Sequence, residues 1–443
     1  MVEFRVLNLL HQMDKPVWPF NPSRKRPALS FLRQSMAKEG EWRLFLQGLL
    51  MLGIAMASFV SQIIAHCEQA FVARVTASSM DYRNLYYTVT GISIGTPTPQ
   101  PLEVLLSTEV TVYPWVECGY NSSTLMYQWG KSTTYRPDHG CSHGMPCFSP
   151  LSPFDNYTGA ILYDRFSLHT TRGWFEDITR VVPDMAFACA PKETVATLPV
   201  RGVAPFSAAA HGLPAQIYAN SGTPRKFAYC LPFVGSFPAP TPLFIGDCIN
   251  YMFGSQPFKV NITARLRDPF PLKLDESGLL YMGVTDIRVN RELVDRGSGK
   301  LLKLRISTTE PFTKLSHHVY VAVRNKYREK AKELGLQRVR TPSGLPFDTC
   351  FSYSYDLLVN SNVPLIQFSL LASSRTWDIE SSWSLIRVDN VSCWAFLNAG
   401  RGQPPVLGIF QQQDHLMEFD IERKTLNFIK MSDNGASCSS FDF

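Results

Sequence analysis

The sequence contains two copies of one pattern. Residues 86–94 (YYTVTGISI) match residues 281–289 (YMGVTDIRV), and downstream each copy has an apolar run that ends in Ser-Thr, at 107–108 and at 307–308. The offset of about 200 residues is much longer than a solenoid unit, which typically has roughly 20–45 residues. The repeat therefore predicts a duplicated lobe.

The region after Met80 has the pattern of a β protein. Short β-branched and aromatic runs alternate with Gly, Pro, Asn and Ser, which predicts an all-β fold with few helices. The clearest helix is predicted from His318 to Leu334, where Lys and Arg lie opposite an apolar stripe; we expect that basic face to be solvated and not bound to lipid. The predicted parts are a first lobe (84–265), a connection (266–277) and a second lobe (278–443).

A hydrophobic segment precedes the lobes. Residues 44–65 (LFLQGLLMLGIAMASFVSQIIA) carry no charge and, at about 1.5 Å per residue, could cross a hydrocarbon layer of about 30 Å as a helix. Basic residues precede the segment, so the positive-inside rule places the following residues in the lumen. We predict a signal anchor or transmembrane segment at 44–65, a linker at 66–83, and lobes that are lumenal or extracellular in the secretory pathway. A buried helix or a cleavable signal core is the alternative.

Cysteines and glycosylation signals indicate the same compartment. The ten cysteines are scattered singly, without Cys-x-x-Cys pairs, so disulfides in an oxidising compartment are expected. Asn-x-Ser/Thr sequons follow the hydrophobic segment at Asn121, Asn156, Asn261 and Asn390. The net charge of +6 over 443 residues is too dilute to indicate nucleic acid as a partner.

Several long motifs carry a family resemblance. Residues 86–106 (YYTVTGISIGTPTPQPLEVLL), 226–232 (KFAYCLP) and 407–428 (LGIFQQQDHLMEFDIERKTLNF) resemble the pepsin-like aspartic peptidases, in particular the plant nepenthesin-like branch. The resemblance covers the chain after Tyr86 and implies a bilobal fold around a central cleft. Residues 1–43 contain a stretch similar to the propeptide of that branch.

The residues that perform the family's chemistry are altered. The family uses two aspartates, one in each lobe, that share a proton and activate a water. The matching positions here are Ser107 and Ser307, and the resemblance places them opposite each other across the cleft. They are followed by Thr108 and Glu109 in one loop, and by Thr308 and Thr309 in the other, so both loop glycines are also replaced. No catalytic residue of the family is intact.

Other parts of the family's site are altered to different extents. Residues 152–156 (SPFDN) occupy the place of the flap and contain no tyrosine. The glycine that supports the first active loop is replaced by Pro205, whereas Gly408 keeps its counterpart in the second lobe. The bridging threonines Thr108 and Thr308 remain, so the scaffold is better preserved than the chemistry.

The resemblance also implies disulfides. Residues 139–147 alternate His and Cys, which raises the question of a metal site, but the family has a local disulfide there, which corresponds to Cys141 and Cys147. Cys350 and Cys393 match the family's second-lobe disulfide. The remaining matches are Cys189 and Cys230, whose expected partners are Cys118 and Cys438. Cys67 and Cys248 have no counterpart.

The sequence therefore predicts a catalytically inactive homologue that binds a protein or peptide in or near the cleft. Inhibition of microbial cell-wall glycosidases is the most specific form of this hypothesis. We expect a monomer with no cofactor and no metal.

The sequence leaves three alternatives. The first is an active aspartic endopeptidase with a rearranged dyad, but Glu109 and Glu310 are unequally displaced from the dyad positions. The second is a serine nucleophile; His317 and His318 follow Ser307, yet no Gly-x-Ser-x-Gly elbow surrounds it. The third is the product of a degenerating gene.

Overall fold

The structure is a computed structural model, and it describes most of the two lobes. The described residues are 51, 53, 56, 70–78, 85–109, 113–119, 127–138, 148–150, 158–191, 201–233, 239–247, 249–254, 257–294, 301–352 and 363–443. Several predictions lie outside them: the propeptide-like segment 1–43, nearly all of 44–65, residues 139–147 and 152–156, Asn121, Asn156, Cys67, Cys141, Cys147 and Cys248. Within the described ranges, no helix has both the length and the apolar character needed to cross a bilayer.

Both lobes lie in one compact unit, Ile64–Phe443. The strands of its first part are β1 (Phe71–Ala77), β2 (Tyr87–Ile94), β3 (Gln100–Ser107), β4 (Trp115–Gly119), β5 (Tyr127–Gln128), β6 (Arg136–Pro137), β7 (Phe148–Pro150), β8 (Thr158–Thr171), β9 (Glu176–Pro191), β10 (Gly202–Pro205), β11 (Lys226–Cys230), β12 (Thr241–Ile245), β13 (Met252–Phe253) and β14 (Val260–Asn261).

The second part repeats this β-rich pattern. Its strands are β15 (Phe270–Leu274), β16 (Leu280–Val289), β17 (Glu292–Leu293), β18 (Leu302–Ile306), β19 (Thr313–Ser316), β20 (Arg338–Val339), β21 (Cys350–Ser352), β22 (Ile366–Leu370), β23 (Thr376–Ile379), β24 (Leu385–Val388), β25 (Val391–Trp394), β26 (Phe396–Gly400), β27 (Val406–Leu407), β28 (His415–Asp420) and β29 (Thr425–Lys430). The α-helices among the described residues of the two parts are α1 (Leu213–Ser221), α2 (His317–Glu333) and α3 (Ser381–Ser384).

The two copies of the sequence repeat form matching sets of strands. In the first lobe β3 pairs antiparallel with β2 and parallel with β10. In the second lobe β18 pairs antiparallel with β16 and parallel with β27. The predicted all-β, two-lobed fold is therefore confirmed.

One sheet is shared by the lobes. Its strand order is β1, β12, β11, β28, β29 and β15, and the β11–β28 pair joins the two halves. Phe227 stacks on Phe419 across this pair, with ring centroids 4.7 Å apart. The prediction of connections at 66–83 and 266–277 is therefore wrong in part, because the first segment contains β1 and the second contains β15. Both are strands because they complete this sheet, and the first four residues of β1 include three that are fully buried.

Helix α2 begins one residue earlier than predicted, and its basic residues are matched by carboxylates. Lys326 and Lys330 form ion pairs with Glu292. Arg324 lies 2.7 Å from Asp348. The carboxylate partners are solvent-accessible, with the Glu292 side chain 51% and that of Asp348 39% exposed, although the Lys330 side chain is only 9% exposed. Ion pairs with such access to water contribute only about 0–1 kcal/mol each.

Three disulfides are present among the described cysteines, and they are the pairs that the resemblance implies. They join Cys118 to Cys189, Cys230 to Cys438, and Cys350 to Cys393. The second closes a loop of 208 residues and fastens the C-terminal end to β11. Such links stabilise a fold largely by restricting the unfolded chain, and they favour an oxidising compartment.

A buried histidine at the start of β28, in the shared sheet, should make stability depend on pH. His415 stacks on Trp377 at 4.7 Å, and its Nδ1 donates to the carbonyl of Gln413 at 2.8 Å. Burial lowers the pKa of His415 from 6.5 to about 4. The unfolded chain therefore takes up a proton first as the pH falls, and stability is lost between about pH 6.5 and pH 4. The shift corresponds to about 3 kcal/mol.

The wild type should lose unfolding free energy between pH 7 and pH 4, and we expect His415→Phe to lose about 3 kcal/mol less over the same range. Denaturant titrations at several pH values would measure it. Burial raises the pKa of Asp414, so this carboxyl stabilises the folded state as the pH falls. Asp414 is present in both proteins, so its contribution cancels in the comparison. The exposed His318→Phe is the matched control and should leave the pH dependence unchanged. Equal pH dependence in the wild type and His415→Phe would contradict the prediction.

Candidate functional site: the Ser107 and Ser307 loops

Strand pairing places each Ser-Thr dipeptide at the end of a central strand. Ser107 is the last residue of β3, and Ser307 directly follows β18. The parallel neighbours lie in equivalent registers, with Ser107 opposite Pro205 in the first lobe and Ile306 opposite Leu407 in the second. The loops therefore leave matching edges of the two lobes.

The two threonines join the loops by reciprocal hydrogen bonds. The Thr108 N–H donates to Thr308 Oγ1 at 3.0 Å, and the Thr308 N–H donates to Thr108 Oγ1 at 3.2 Å. Each hydroxyl in turn donates across the interface at 2.9 Å, from Thr108 to the carbonyl of Ile306 and from Thr308 to that of Leu106. Since both threonines are fully buried, this network fixes the two loops against each other.

The serine hydroxyls are held by their own loops. Ser107 Oγ accepts from the backbone N–H of Glu109 at 3.1 Å. Ser307 Oγ accepts from the N–H groups of Thr309 at 3.2 Å and Glu310 at 2.8 Å. Such converging N–H groups suit a negatively charged oxygen, but a serine hydroxyl stays neutral at ordinary pH. The two positions therefore hold no pair of groups that can share a proton and act as acid and base.

The carboxylates in these loops are engaged elsewhere. Glu109 Oε1 lies 3.5 Å from Arg305 Nη2 of the other lobe, and both side chains are largely buried. Glu310 Oε2 lies 2.6 Å from Lys314 Nζ. Each carboxylate has its own cation, and nothing in the described contacts brings the two glutamates together. A dyad rebuilt from Glu109 and Glu310 therefore has no support in the geometry.

The supporting strands differ between the lobes. A Cβ added at Gly408 would lie 2.2 Å from the carbonyl carbon of Phe312, so only glycine fits there. The Gly408 N–H donates to Thr313 Oγ1 at 3.1 Å. The corresponding position opposite Ser107 is the buried Pro205, which has no N–H to donate. The first loop has thus lost a support that the second retains.

Two members of a run of three glutamines, Gln412 and Gln413, hold the second loop and the lobe junction, a role that sequence reasoning did not assign. Gln412 Nε2 donates to the carbonyls of Ser307 at 2.6 Å and Leu407 at 3.0 Å, and its Oε1 accepts from the Tyr229 hydroxyl at 2.6 Å. Gln413 Nε2 donates to the Tyr87 hydroxyl at 3.1 Å. All three glutamines are fully buried. The available signal in the sequence was a run of three amides within the mostly apolar segment 406–419.

A cluster of partly exposed aromatic and charged side chains combines two loops with two strands. Tyr113 and His211 lie on the loops that follow β3 and β10, whereas Arg136, Asp138 and Tyr163 lie on or next to β6 and β8. Tyr113 stacks on His211 with ring centroids 4.0 Å apart. The Tyr163 hydroxyl donates to Asp138 Oδ2 at 3.3 Å, and the Arg136 guanidinium lies 4.1 Å from the Tyr163 ring centre. Burial raises the pKa of Tyr113, and the nearby Tyr163 and Asp138 raise it further. Partial burial lowers the pKa of His211. We call these five residues the rim cluster.

The remaining candidate residues do not join the site. His317 begins α2 and its Nδ1 lies 2.9 Å from Asn398 Nδ2. None of the described hydrogen bonds connects His317 or His318 to Ser307. In the part of the chain that the structure covers, no three His, Cys, Asp or Glu side chains are grouped as metal ligands would be.

Comparisons with known proteins match both lobes. The family models described as "Xylanase inhibitor N-terminal" and "Xylanase inhibitor C-terminal" match residues 87–247 and 280–430. Gamma conglutin 1 of Lupinus albus is 25% identical over 336 residues, which is 70% of this chain and 72% of the relative. "Probable aspartic proteinase GIP2" of Nicotiana benthamiana is 28% identical over 373 residues, 74% of this chain and 83% of the relative. The crystal structure of edgp superposes with a TM-score of 0.69 at 25% identity, covering 85% of this chain and 98% of that chain. Together with the paired lobes and their bridged loops, these matches show that the chain belongs to the pepsin-like aspartic peptidase family, in its xylanase-inhibitor type.

Proposed function

We propose that the protein is a catalytically inactive member of its family that binds another protein at the rim of the interlobe cleft. One observation carries the proposal: the threonine bridge is intact, while both acid positions are serines whose hydroxyls accept hydrogen bonds from their own loops. A framework that keeps its shape after losing its acid–base pair is suited to recognition.

The rim cluster is the proposed contact surface. Strands β3 and β10 are parallel, so the loops that carry Tyr113 and His211 emerge from the same edge as Ser107. Tyrosine and arginine are the residue types that dominate binding energy at protein interfaces. Stacking and hydrogen bonding hold Tyr113 and Tyr163 in place, and side chains ordered before binding lose less entropy on association.

A secreted microbial cell-wall glycosidase is the proposed partner. The match of both lobes to models described as xylanase inhibitor supports this choice. The rim cluster offers Arg136, Asp138 and two tyrosines, which can make hydrogen bonds as well as apolar contacts.

The experiment is an inhibition and binding assay with the full chain against a panel of fungal and bacterial endoxylanases and endoglucanases. We expect inhibition of at least one enzyme with a Kd below about 1 µM, which is about −8 kcal/mol. Tyr113→Ala should weaken that complex at least ~10-fold. Tyr218→Ala is the matched control, because Tyr218 is 46% exposed on α1, outside the rim cluster. A folded protein that binds no enzyme of the panel, or a Tyr113→Ala variant that binds as the wild type does, would refute the proposal.

We further propose that the lobes reside in the secretory pathway or outside the cell. The three disulfides support this location. Both described sequon asparagines, Asn261 and Asn390, are exposed and so accessible to a glycan. Expression in a eukaryotic secretory host should give a product that loses mass on treatment with peptide N-glycosidase. Asn261→Gln and Asn390→Gln should each remove one glycan; an unmodified wild-type product would contradict this.

A further inference from the structure

The tip of the β8–β9 hairpin is fixed to the start of β13 and to the loop that precedes it. The N–H groups of Asn250 and Met252 donate to the carbonyls of Arg172 and Gly173, both at 2.9 Å. Gly173 has a φ of 92°, and a Cβ there would lie 2.2 Å from the carbonyl oxygen of Asn250. The glycine therefore permits an approach that no other residue could make.

The backbone of the next two residues of the tip, Trp174 and Phe175, is also held by hydrogen bonds. Lys259 Nζ donates to the carbonyl of Trp174 at 3.0 Å, and Thr171 Oγ1 donates to that of Phe175 at 2.7 Å. Their side chains nevertheless remain in solvent, since Trp174 is 49% and Phe175 is 50% exposed. A rigid backbone that presents two aromatic rings to water is a preorganised binding surface.

These rings open onto a cavity of about 520 Å³, lined by Arg172, Trp174, Phe175, Asp177 and Asn250. This volume lies within the range of about 300–1,000 Å³ that is typical of small-ligand sites. Among the described residues, the lining combines two aromatic faces with three side chains that end in planar hydrogen-bonding groups, and none of them is aliphatic. The cavity is built from elements other than the Ser107 and Ser307 loops.

We propose that this cavity binds an uncharged oligosaccharide. An aromatic ring can cover the apolar C–H face of a pyranose. The hydroxyl groups of the sugar then need hydrogen-bond donors and acceptors around the edge of the pyranose. Arg172 supplies donors, Asp177 acceptors, and Asn250 both. The formal charges of Arg172 and Asp177 cancel, which favours a neutral ligand over a phosphorylated or acidic one. The site is independent of the proposed protein-binding function.

A protein partner fits the same surface less well. A stable protein interface typically buries about 800 Å² on each side, whereas the features here are concentrated in one cavity. Its polar lining also suits a ligand with hydroxyl groups on several sides better than an apolar side chain.

The test uses the full chain, freed of its own N-glycans so that they cannot occupy the cavity. The probes are β-1,4-linked hexasaccharides of glucose, of xylose and of N-acetylglucosamine, followed by isothermal titration and saturation-transfer NMR. The three probes distinguish a plant-type from a fungal-type polysaccharide source. We expect at least one to bind, and Trp174→Ala to weaken it at least ~10-fold without changing the unfolding midpoint, since the ring is half in solvent.

Asn250→Ala should weaken binding of the same sugar, because the substitution removes both a hydrogen-bond donor and an acceptor from the cavity. Tyr218→Ala, at a similarly exposed aromatic outside the cavity, should bind as the wild type does. The inference is overturned if none of the three sugars binds at millimolar concentration, if Trp174→Ala retains full affinity, or if an uncharged hexapeptide binds at this site and the sugars do not.

Discussion

Replacing Gln412 by leucine is expected to lower the free energy of unfolding by about 4 kcal/mol. The substitution keeps the approximate volume but removes the amide, which leaves the carbonyls of Ser307 and Leu407 and the hydroxyl of Tyr229 without this partner. Each buried polar group left unpaired costs about 1–3 kcal/mol. Because Tyr229 lies on β11 and Ser307 belongs to the second lobe, the loss should weaken the lobe junction as well as the loop.

Chemical denaturation followed by tryptophan fluorescence would measure this effect. Gln403→Leu is the matched control, since Gln403 is exposed and the same substitution there should change stability by less than about 0.5 kcal/mol. If Gln412→Leu is as stable as Gln403→Leu, the amide does not have the structural role assigned to it.

The part of the fold predicted from sequence is the part encoded by local pattern. The duplicated Ser-Thr strand ends predicted two lobes, and the β-rich pattern predicted the fold class, because strand alternation and turn residues are visible over short windows. Strand β1 was missed, and its pairing with β12 is remote in sequence: Val72 pairs with Phe244. A strand with such a distant partner resembles a linker when read alone.

The sequence predicted the two serine positions of the candidate site but not the contacts that surround them. Ser107 and Ser307 were located by resemblance, and their loops are bridged as the family pattern implies. The ion pair of Glu109 with Arg305 was not foreseen, because it crosses between lobes. The stack of Tyr113 on His211 joins loops 98 positions apart, and no spacing rule connects two such residues before the fold is known.

The purified protein is expected to show no acid-dependent, pepstatin-sensitive peptidase activity on denatured haemoglobin or casein. A single positioned acid or base typically contributes ~10²–10⁴ in rate, and here both members of the pair are serines. Turnover that rises at acidic pH and is abolished by pepstatin would contradict this prediction and restore the active-endopeptidase reading.

Restoring the acids alone, as Ser107→Asp with Ser307→Asp, should recover little of this activity. A carboxylate introduced next to Glu109 would meet a second negative charge already paired with Arg305, and like charges in a buried site raise one another's pKa. The paired acids must also lie in loops of the right shape, yet Pro205 stands opposite the first, and Glu109 and Thr309 replace the loop glycines. Adding Glu109→Gly, Thr309→Gly and Pro205→Gly to the two aspartates is therefore the informative comparison. If the variant with the two aspartates already cleaves haemoglobin as fast as the variant with all five substitutions, loop shape is irrelevant. In that case, loss of the carboxylates alone explains the inactivity.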